Sequence, residues 1–195
     1  MNFVEPIRDR KKIAQIKNLL RGQKRFRDLL LFVMGINTAL RISDLLQLQI
    51  SHFLDEQGRI NRRFWIKERK RGKHQEVVIN TSIREALDEY LAAFPDIGND
   101  RNNFVFFNST TNDYSLPIKR GQAWKFITLI CREASLSGNF GTHSLRKTWG
   151  YHARMQGVDL ALIMHKFNHE SIAYTKRYLG ITDDELEAVA HRLNL

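Results

Sequence analysis

Gly141-Thr142-His143-Ser144-Leu145-Arg146 opens a segment that closes with Asn168-His169-Glu170-Ser171-Ile172-Ala173-Tyr174-Thr175-Lys176-Arg177-Tyr178-Leu179. Its first half predicts a helix: Thr142 is placed to act as an N-cap, and Leu145, Trp149 and His152/Ala153 recur at helical spacing. His143 and Arg146 stand three apart, so they share a face near the positive end of that helix. The pair is suited to holding an anion such as a phosphate. Tyr178 lies among His169, Lys176 and Arg177. A phenol with a pKa of about 10 is only about 0.1% ionised at neutral pH, so a nucleophilic Tyr178 requires nearby positive charge or a base. Taken singly, His143 and Arg146 read as a surface pair and Tyr178 as a half-buried packing residue. The rest of the chain decides between these readings.

The chain has 195 residues, enough for one domain. Its hydrophobic share of 43% supplies a core, and 27% charged residues fits a soluble protein. No apolar run approaches a membrane span, the N-terminus does not read as a signal peptide, and Cys131 is the only cysteine. These features predict a cytoplasmic protein without a disulfide framework or a thiolate metal cluster. Charge is more informative. Lys and Arg number 31 against 21 Asp and Glu, a net +10, which favours a nucleic-acid or other anionic partner. The cations are also clustered: Arg59, Arg62, Arg63, Lys67, Arg69, Lys70, Arg71 and Lys73 fall between residues 59 and 73, with Glu68 the one acid among them.

Working outward in order, Pro6 is placed for the first turn of a helix whose stripe is Ile13, Ile16, Leu19 and Leu20. Phe26 to Ile36 predicts a second helix, apolar on more than one face and therefore central. Thr38 to Leu46 reads as a short helical segment. Arg41 lies near its start, and Asp44, three residues on, is placed either to orient that Arg or to form a routine salt bridge. From Gln49 to Asn80 the pattern turns to period two and predicts three strands: Ile50–Phe53, Ile60–Lys67 and Gln75–Ile79, with residues 69–73 as a cationic hairpin tip. Ser82 and Glu85 predict a capping box for a helix over 83–93. Residues 104–107 are a buried extended run, 108–117 a loop, and 118–134 a helix carrying Trp124, Ile127 and Ile130 inward. Further helices follow at 158–165 and 170–179, and an amphipathic helix at 183–195 carries Leu186, Val189, Ala190 and Leu193. The fold class is α+β and mainly α-helical: a helical bundle with a small three-stranded antiparallel sheet, one domain over 1–195.

Arg41, Lys70, His143, Arg146, His169 and Tyr178 now fall in a recognisable order. Ala39-Leu40-Arg41-Ile42-Ser43-Asp44-Leu45-Leu46, Lys70-Arg71-Gly72-Lys73, His143-Ser144-Leu145-Arg146, Asn168-His169 and Thr175-Lys176-Arg177-Tyr178-Leu179 together resemble the tyrosine recombinase (phage integrase) family, related in mechanism to type IB topoisomerases. The resemblance spans roughly Arg8 to Ile181. It implies that Tyr178 is a nucleophile forming a 3′-phosphotyrosyl link to DNA, and that Arg41 and Arg146 grip the scissile phosphate with His169 as a third donor. It implies Lys70 as the acid for the leaving 5′-oxygen, His143 as the base, and Asp44 as a support behind the first Arg. Guanidinium suits the gripping role because its planar fork makes two charge-assisted bonds. The family needs no metal or other cofactor. The expected DNA-contacting cations are Arg59, Arg62, Arg63, Lys67, Arg69, Arg71 and Lys73, joined by Lys147, Lys176 and Arg177.

The sequence departs from the family at Asn168, where many members carry Gly; Asn tolerates the left-handed backbone such a turn needs. Lys73 competes with Lys70 for the acid role. No separate N-terminal core-binding domain precedes the first helix, as in a single-domain DNA-inversion recombinase, a chain whose partner covers the other face of the duplex, or a fragment of something longer. The resemblance implies a homo-oligomer on duplex DNA, tetrameric at synapsis, with a monomer in solution allowed and the 182–195 helix docking in trans or folding back. Two other classes remain in view. A non-catalytic DNA-binding protein explains the charge but leaves the six site residues unexplained, and a topoisomerase IB-like enzyme would use similar chemistry without strand exchange. A metallohydrolase based on His165 and His169 lacks a third ligand and the Glu after its first His.

Overall fold

A computed structural model describes residues 4–70, 72–108 and 113–180. Thus Arg71 and the expected helix over 183–195 lie outside the described residues. Helix α1 (Arg10–Gly22) precedes α2 (Phe26–Thr38), then two one-turn helices, α3 (Ile42–Leu45) and α4 (Ile50–Phe53). A hairpin of β1 (Arg63–Lys67) and β2 (His74–Val78) leads to α5 (Thr81–Ala93) and a 3-10 turn at Pro95–Asn99. The short strands β3 (Phe107–Asn108) and β4 (Asp113–Pro117) follow, then α6 (Arg120–Glu133), α7 (Thr142–Met155), α8 (Leu160–Lys166) and α9 (Ile172–Leu179). The architecture is α+β and mainly helical.

Helix α2 is the hub. Leu29 to Met34 are all fully buried, as a helix apolar around its whole circumference must be, and α1, α5 and α7 pack around it. Gly35 lets α7 close on it: a Cβ there would come within 2.4 Å of Leu145 Cδ1. Most of the core is one cluster running from Ile7 to Leu145. A second, smaller cluster of Ala39, Ile163, Phe167 and Leu179 lies under α8 and α9, with Trp149 and Tyr178 packed against it.

Several local expectations change. Ile50–Phe53 is a helical turn, not a strand, so among the described residues the sheets are two separate two-stranded pairs, β1–β2 and β3–β4. Ile50 and Phe53 are both buried at i,i+3, and His52 Nδ1 accepts the Gln49 N–H at 3.1 Å, closing the turn. Residues 113–117 pair as β4 against β3, inside what reads from sequence as a loop. Pro6 lies outside α1, which Asp9 caps by accepting from the Lys11 N–H at 2.7 Å. Asn80 rather than Ser82 caps α5. Thr142 is the first residue of α7, with Gly141 in the cap position and Ser144 Oγ accepting the Gly141 N–H. Trp124 is 50% exposed. The inward stripe of α6 is Ala123, Phe126, Ile127, Ile130 and Cys131, and Trp124 sits one 100° step to its side. Cys131 does pack in the core.

The hairpin register Arg63↔Val78 through Lys67↔His74 places Phe64 and Ile66 inward and Arg63, Trp65 and Lys67 outward, and returns Glu68 and Arg69 toward the start of α3. Residues 4–8 cross α7, where Ile7 N–H donates to Thr148 Oγ1 at 2.8 Å.

Gly150 sits where α7 meets the smaller cluster, and a Cβ there would lie 2.6 Å from both Leu179 Cδ2 and Phe167 Cζ. Both neighbours are confined, so Gly150→Ala should overpack the site and cost about 1–3 kcal/mol in urea denaturation. A loss below about 0.5 kcal/mol would show that α9 is not seated as described.

Candidate active site

One cavity of about 90 Å³ is lined by Arg41, Lys70, His143, Arg146, His169, Tyr174 and Tyr178. All six residues expected to act are therefore in one place, drawn from the start of α3, the hairpin, α7, the α8–α9 turn and α9. Tyr174 is the addition. It precedes Tyr178 by one helical turn and therefore shares its face, a relation legible in the spacing.

Each residue is set by its local chain. Helix α2 ends with Ala39 in the left-handed conformation (φ 60°), which turns the chain into Arg41 at the N-cap of α3. Arg146 is 3% exposed, and its guanidinium donates to the Ala39 carbonyl and, at 2.6 Å, to the Phe167 carbonyl. It also lies over the Phe167 ring, 4.7 Å from the centroid. Burial lowers its pKa to about 10, so it stays a cation at neutral pH. Asn168 adopts φ 48°, the left-handed turn that its side chain tolerates, and delivers His169. His169 Nδ1 meets Thr175 Oγ1 at 3.1 Å, and the ring stands edge-on to Tyr174 and Tyr178.

The Tyr178 hydroxyl is buried and lacks an aligned hydrogen bond among the described residues. Burial raises its pKa to about 12, with Arg146 and then Arg41 pulling the other way through their charge. Lys147 lies beneath it: 4% exposed, with its ammonium 5.1 Å from the Tyr178 ring centroid. That position removes Lys147 from the exposed cations with which the sequence groups it. Desolvation, and then the charge of Arg8, lower its pKa to about 8. His143 keeps exposed surface at the cavity although neighbouring atoms crowd it. Its pKa is lowered, first by this partial burial and then by Arg120, Arg146, Lys147 and Arg41. A histidine so placed is neutral at pH 7 and able to take a proton.

Asp44 does not pair with Arg41. Its Oδ1 accepts the Arg69 N–H at 3.1 Å, and burial raises its pKa. The carboxylate against Arg41 is Glu68, with Oε2 2.8 Å from Arg41 Nη1. Sequence reading noted Glu68 only as the odd acid in a basic stretch, because nothing local says that the hairpin folds it inward. Lys70 lines the cavity and Lys73 is not among its lining residues. Arg59, Arg62, Arg63, Lys67, Arg69, Lys73 and Arg177 are exposed, and Lys176 is half-buried. Among these, Arg59 pairs with Asp55 and Arg63 with Glu76.

Comparison with known proteins shows the family. Residues 9–185 match the phage integrase family. The chain is 35% identical over 188 residues to the probable integrase/recombinase YoeC of Bacillus subtilis (strain 168), covering 96% of each. It is 27% identical over 183 residues to the type 1 fimbriae regulatory protein FimE of Escherichia coli (strain K12), covering 93% of this chain and 88% of FimE. Among solved structures, XerH site-specific recombinase bound to its difH substrate in a post-cleavage complex superposes with a TM-score of 0.75 at 21% identity, over 99% of this chain and 53% of XerH. This chain thus spans about half of XerH, and that likeness speaks for the fold. The described residues contain no helix long and apolar enough to cross a membrane. The chain belongs to the phage integrase family, with the fold of a tyrosine recombinase catalytic domain, a DNA breaking-and-rejoining enzyme.

Proposed function

We propose that the chain is a site-specific recombinase in which Tyr178 attacks a DNA phosphodiester held between Arg41 and Arg146. The observation that carries this reading is the single cavity shared by Arg41, Lys70, His143, Arg146, His169 and Tyr178. The phenolic oxygen forms a bond to phosphorus as the bond to the 5′-oxygen breaks, leaving a 3′-phosphotyrosyl link and a 5′-hydroxyl. One phosphoester replaces another, so the step needs no ATP, and the reverse attack by a 5′-hydroxyl rejoins the strand. Arg41, Arg146 and His169 stabilise the charge that builds on the non-bridging oxygens; donors of this kind contribute about 2.7–4 kcal/mol each. His143 accepts the phenolic proton and Lys70 protonates the leaving oxygen, transfers worth about 10²–10⁴-fold each. At a pKa of about 12, roughly one Tyr178 in 10⁵ is ionised at pH 7, so the base is needed. Duplex DNA in the cytoplasm is the substrate, engaged by the exposed hairpin cations. Strand exchange between two sites requires several copies of the chain, as in the tetrameric synapse that the family resemblance implies.

The test uses nicked duplex fragments tiled across the DNA flanking the gene, from which a cleaved strand cannot be rejoined. Wild-type protein should form a covalent adduct on at least one fragment, and Tyr178→Phe none. Adduct formation by Tyr178→Phe would remove Tyr178 from its role. Supercoil relaxation on any plasmid without recombinant product would identify a nicking-closing enzyme instead.

Two further outcomes follow from the electrostatics. In the DNA-free protein the NMR titration midpoint of His143 should lie below about 6.5. Its folded pKa is depressed, so its contribution to stability is fully present above about 6.5 and is lost as pH falls toward the folded value. A midpoint above that of an ordinary histidine would contradict the cationic setting. In fragment binding, Arg62→Ala, Lys67→Ala and Arg69→Ala should each lower the slope of log K against log salt by about 1, whereas Lys147→Ala should leave that slope unchanged.

A further inference from the structure

Glu68 is the only acid between residues 59 and 73, and its side chain is fully buried. Its two oxygens reach different partners. Oε2 is 2.8 Å from Arg41 Nη1, a buried ion pair near enough for strong attraction but not aligned as a hydrogen bond. Oε1 accepts from the buried Gln75 amide at 3.1 Å, in the amide orientation that also lets Gln75 accept from Lys166 Nζ at 3.2 Å. Lys166 in turn donates to the Glu76 carbonyl at 3.1 Å and directly precedes Phe167, whose carbonyl takes the Arg146 guanidinium and, at 3.4 Å, Arg41 Nη2. A continuous line of side chains, Lys166–Gln75–Glu68–Arg41, therefore ties the end of α8 through the hairpin to the phosphate-gripping arginine. Backbone bonds fix Glu68 as well: its N–H donates to the Lys73 carbonyl and its carbonyl accepts from the Gly72 N–H. Lys70, between those anchors, lines the cavity.

We propose that Glu68 is a positioning residue for the breaking-rejoining reaction: its buried carboxylate holds Arg41 in the gripping geometry, and the same hairpin turn presents Lys70. The inference rests on the recombinase reading above. Two guanidiniums face one cavity, and without a compensating anion they would repel each other whenever no phosphate is bound. Glu68 supplies that anion from the protein side, leaving the cavity side of Arg41 for substrate. Its charge also opposes an incoming phosphate. Removing the charge should therefore not weaken DNA binding, while the loss of a fixed Arg41 should slow cleavage. Damage to folding would lower both together.

Glu68→Gln tests this directly, since Gln keeps the shape and a hydrogen-bonding oxygen but not the charge. The fragment that gives the wild-type adduct serves as the probe. The single-turnover rate of adduct formation at saturating protein should fall about 10–100-fold, with fragment affinity unchanged or up to about threefold tighter. Glu68→Asp should recover part of the lost rate. Gln75→Met, which removes the side-chain link between Lys166 and Glu68 and leaves Glu68 itself in place, should give a smaller rate loss at unchanged affinity and covers the case in which Glu68→Gln fails to fold. A Glu68→Gln rate within about threefold of wild type would overturn the proposal. So would parallel losses of rate, affinity and melting temperature, or a Gln75→Met rate equal to wild type should Glu68→Gln not fold. A wild-type protein that forms no adduct on any fragment would instead count against the recombinase reading, before any Glu68 variant is compared.

Discussion

The site depends on placing the guanidinium of Arg146 where water barely reaches it. A buried cation is costly unless its donors are met, and here backbone carbonyls meet them: Ala39 at the end of α2 and Phe167 at the end of α8. Those bonds draw together two chain ends that are distant in sequence. They also account for the left-handed Ala39, whose conformation costs about 1–2 kcal/mol for an L-residue and is held by full burial among its neighbours. Arg41 reaches the Phe167 carbonyl as well, so the two arginines share one backbone acceptor. The carbonyls satisfy hydrogen bonds without cancelling the charge. The cavity therefore retains a positive field, which a phosphate diester is suited to complete.

The proposed nucleophile sits in the less consolidated part of the molecule. Tyr178 packs on the small cluster of Ala39, Ile163, Phe167 and Leu179, apart from the main core around α2. A helix held by few apolar contacts shifts more readily than one built into the core. In the proposed reaction the rigid elements carry the phosphate grip, and the shorter α9 carries the attacking oxygen. Tyr174, edge-on to His169 and stacked over Tyr178 with centroids 6.5 Å apart, adds aromatic contact on the exposed side of that helix.

What could be read in advance follows from what local sequence encodes. Helix α2 was legible because continuous apolar residues leave no solvent face, and the six site residues were legible because each sits in a short motif whose order survives without knowledge of packing. Asn168 was readable as a left-handed turn from its residue type alone. Ile50–Phe53 was not, since four residues with two apolar members fit either period; the Gln49–His52 cap and the burial of both Ile50 and Phe53 decided for a helical turn. Trp124 misled because a large apolar residue at the margin of a stripe can fall outside it. The partner of Arg41 was misjudged for a deeper reason. Asp44 is near in sequence, but the contact belongs to Glu68, which reaches Arg41 only because the β1–β2 register folds the hairpin end back onto α3.

In the proposed reaction, the resting state and the reacting state place opposite demands on Tyr178. Without DNA the two arginines favour phenolate, but burial outweighs them and the phenol stays protonated. An arriving phosphate brings negative charge that offsets those same arginines, so substrate binding alone does not ionise Tyr178. The proton must leave to a neutral acceptor nearby. His143 fits that need in the proposed reaction: its pKa is lowered first by burial and then by Arg120, Arg146, Lys147 and Arg41, and of these cations Arg146 and Arg41 line the cavity that the phosphate would enter. Neutralising those two would remove part of what lowers its pKa, making His143 a better base as the phenol gives up its proton. One charge-balancing event thus grips the substrate and readies the base, which ties activation of the nucleophile to occupancy of the cavity.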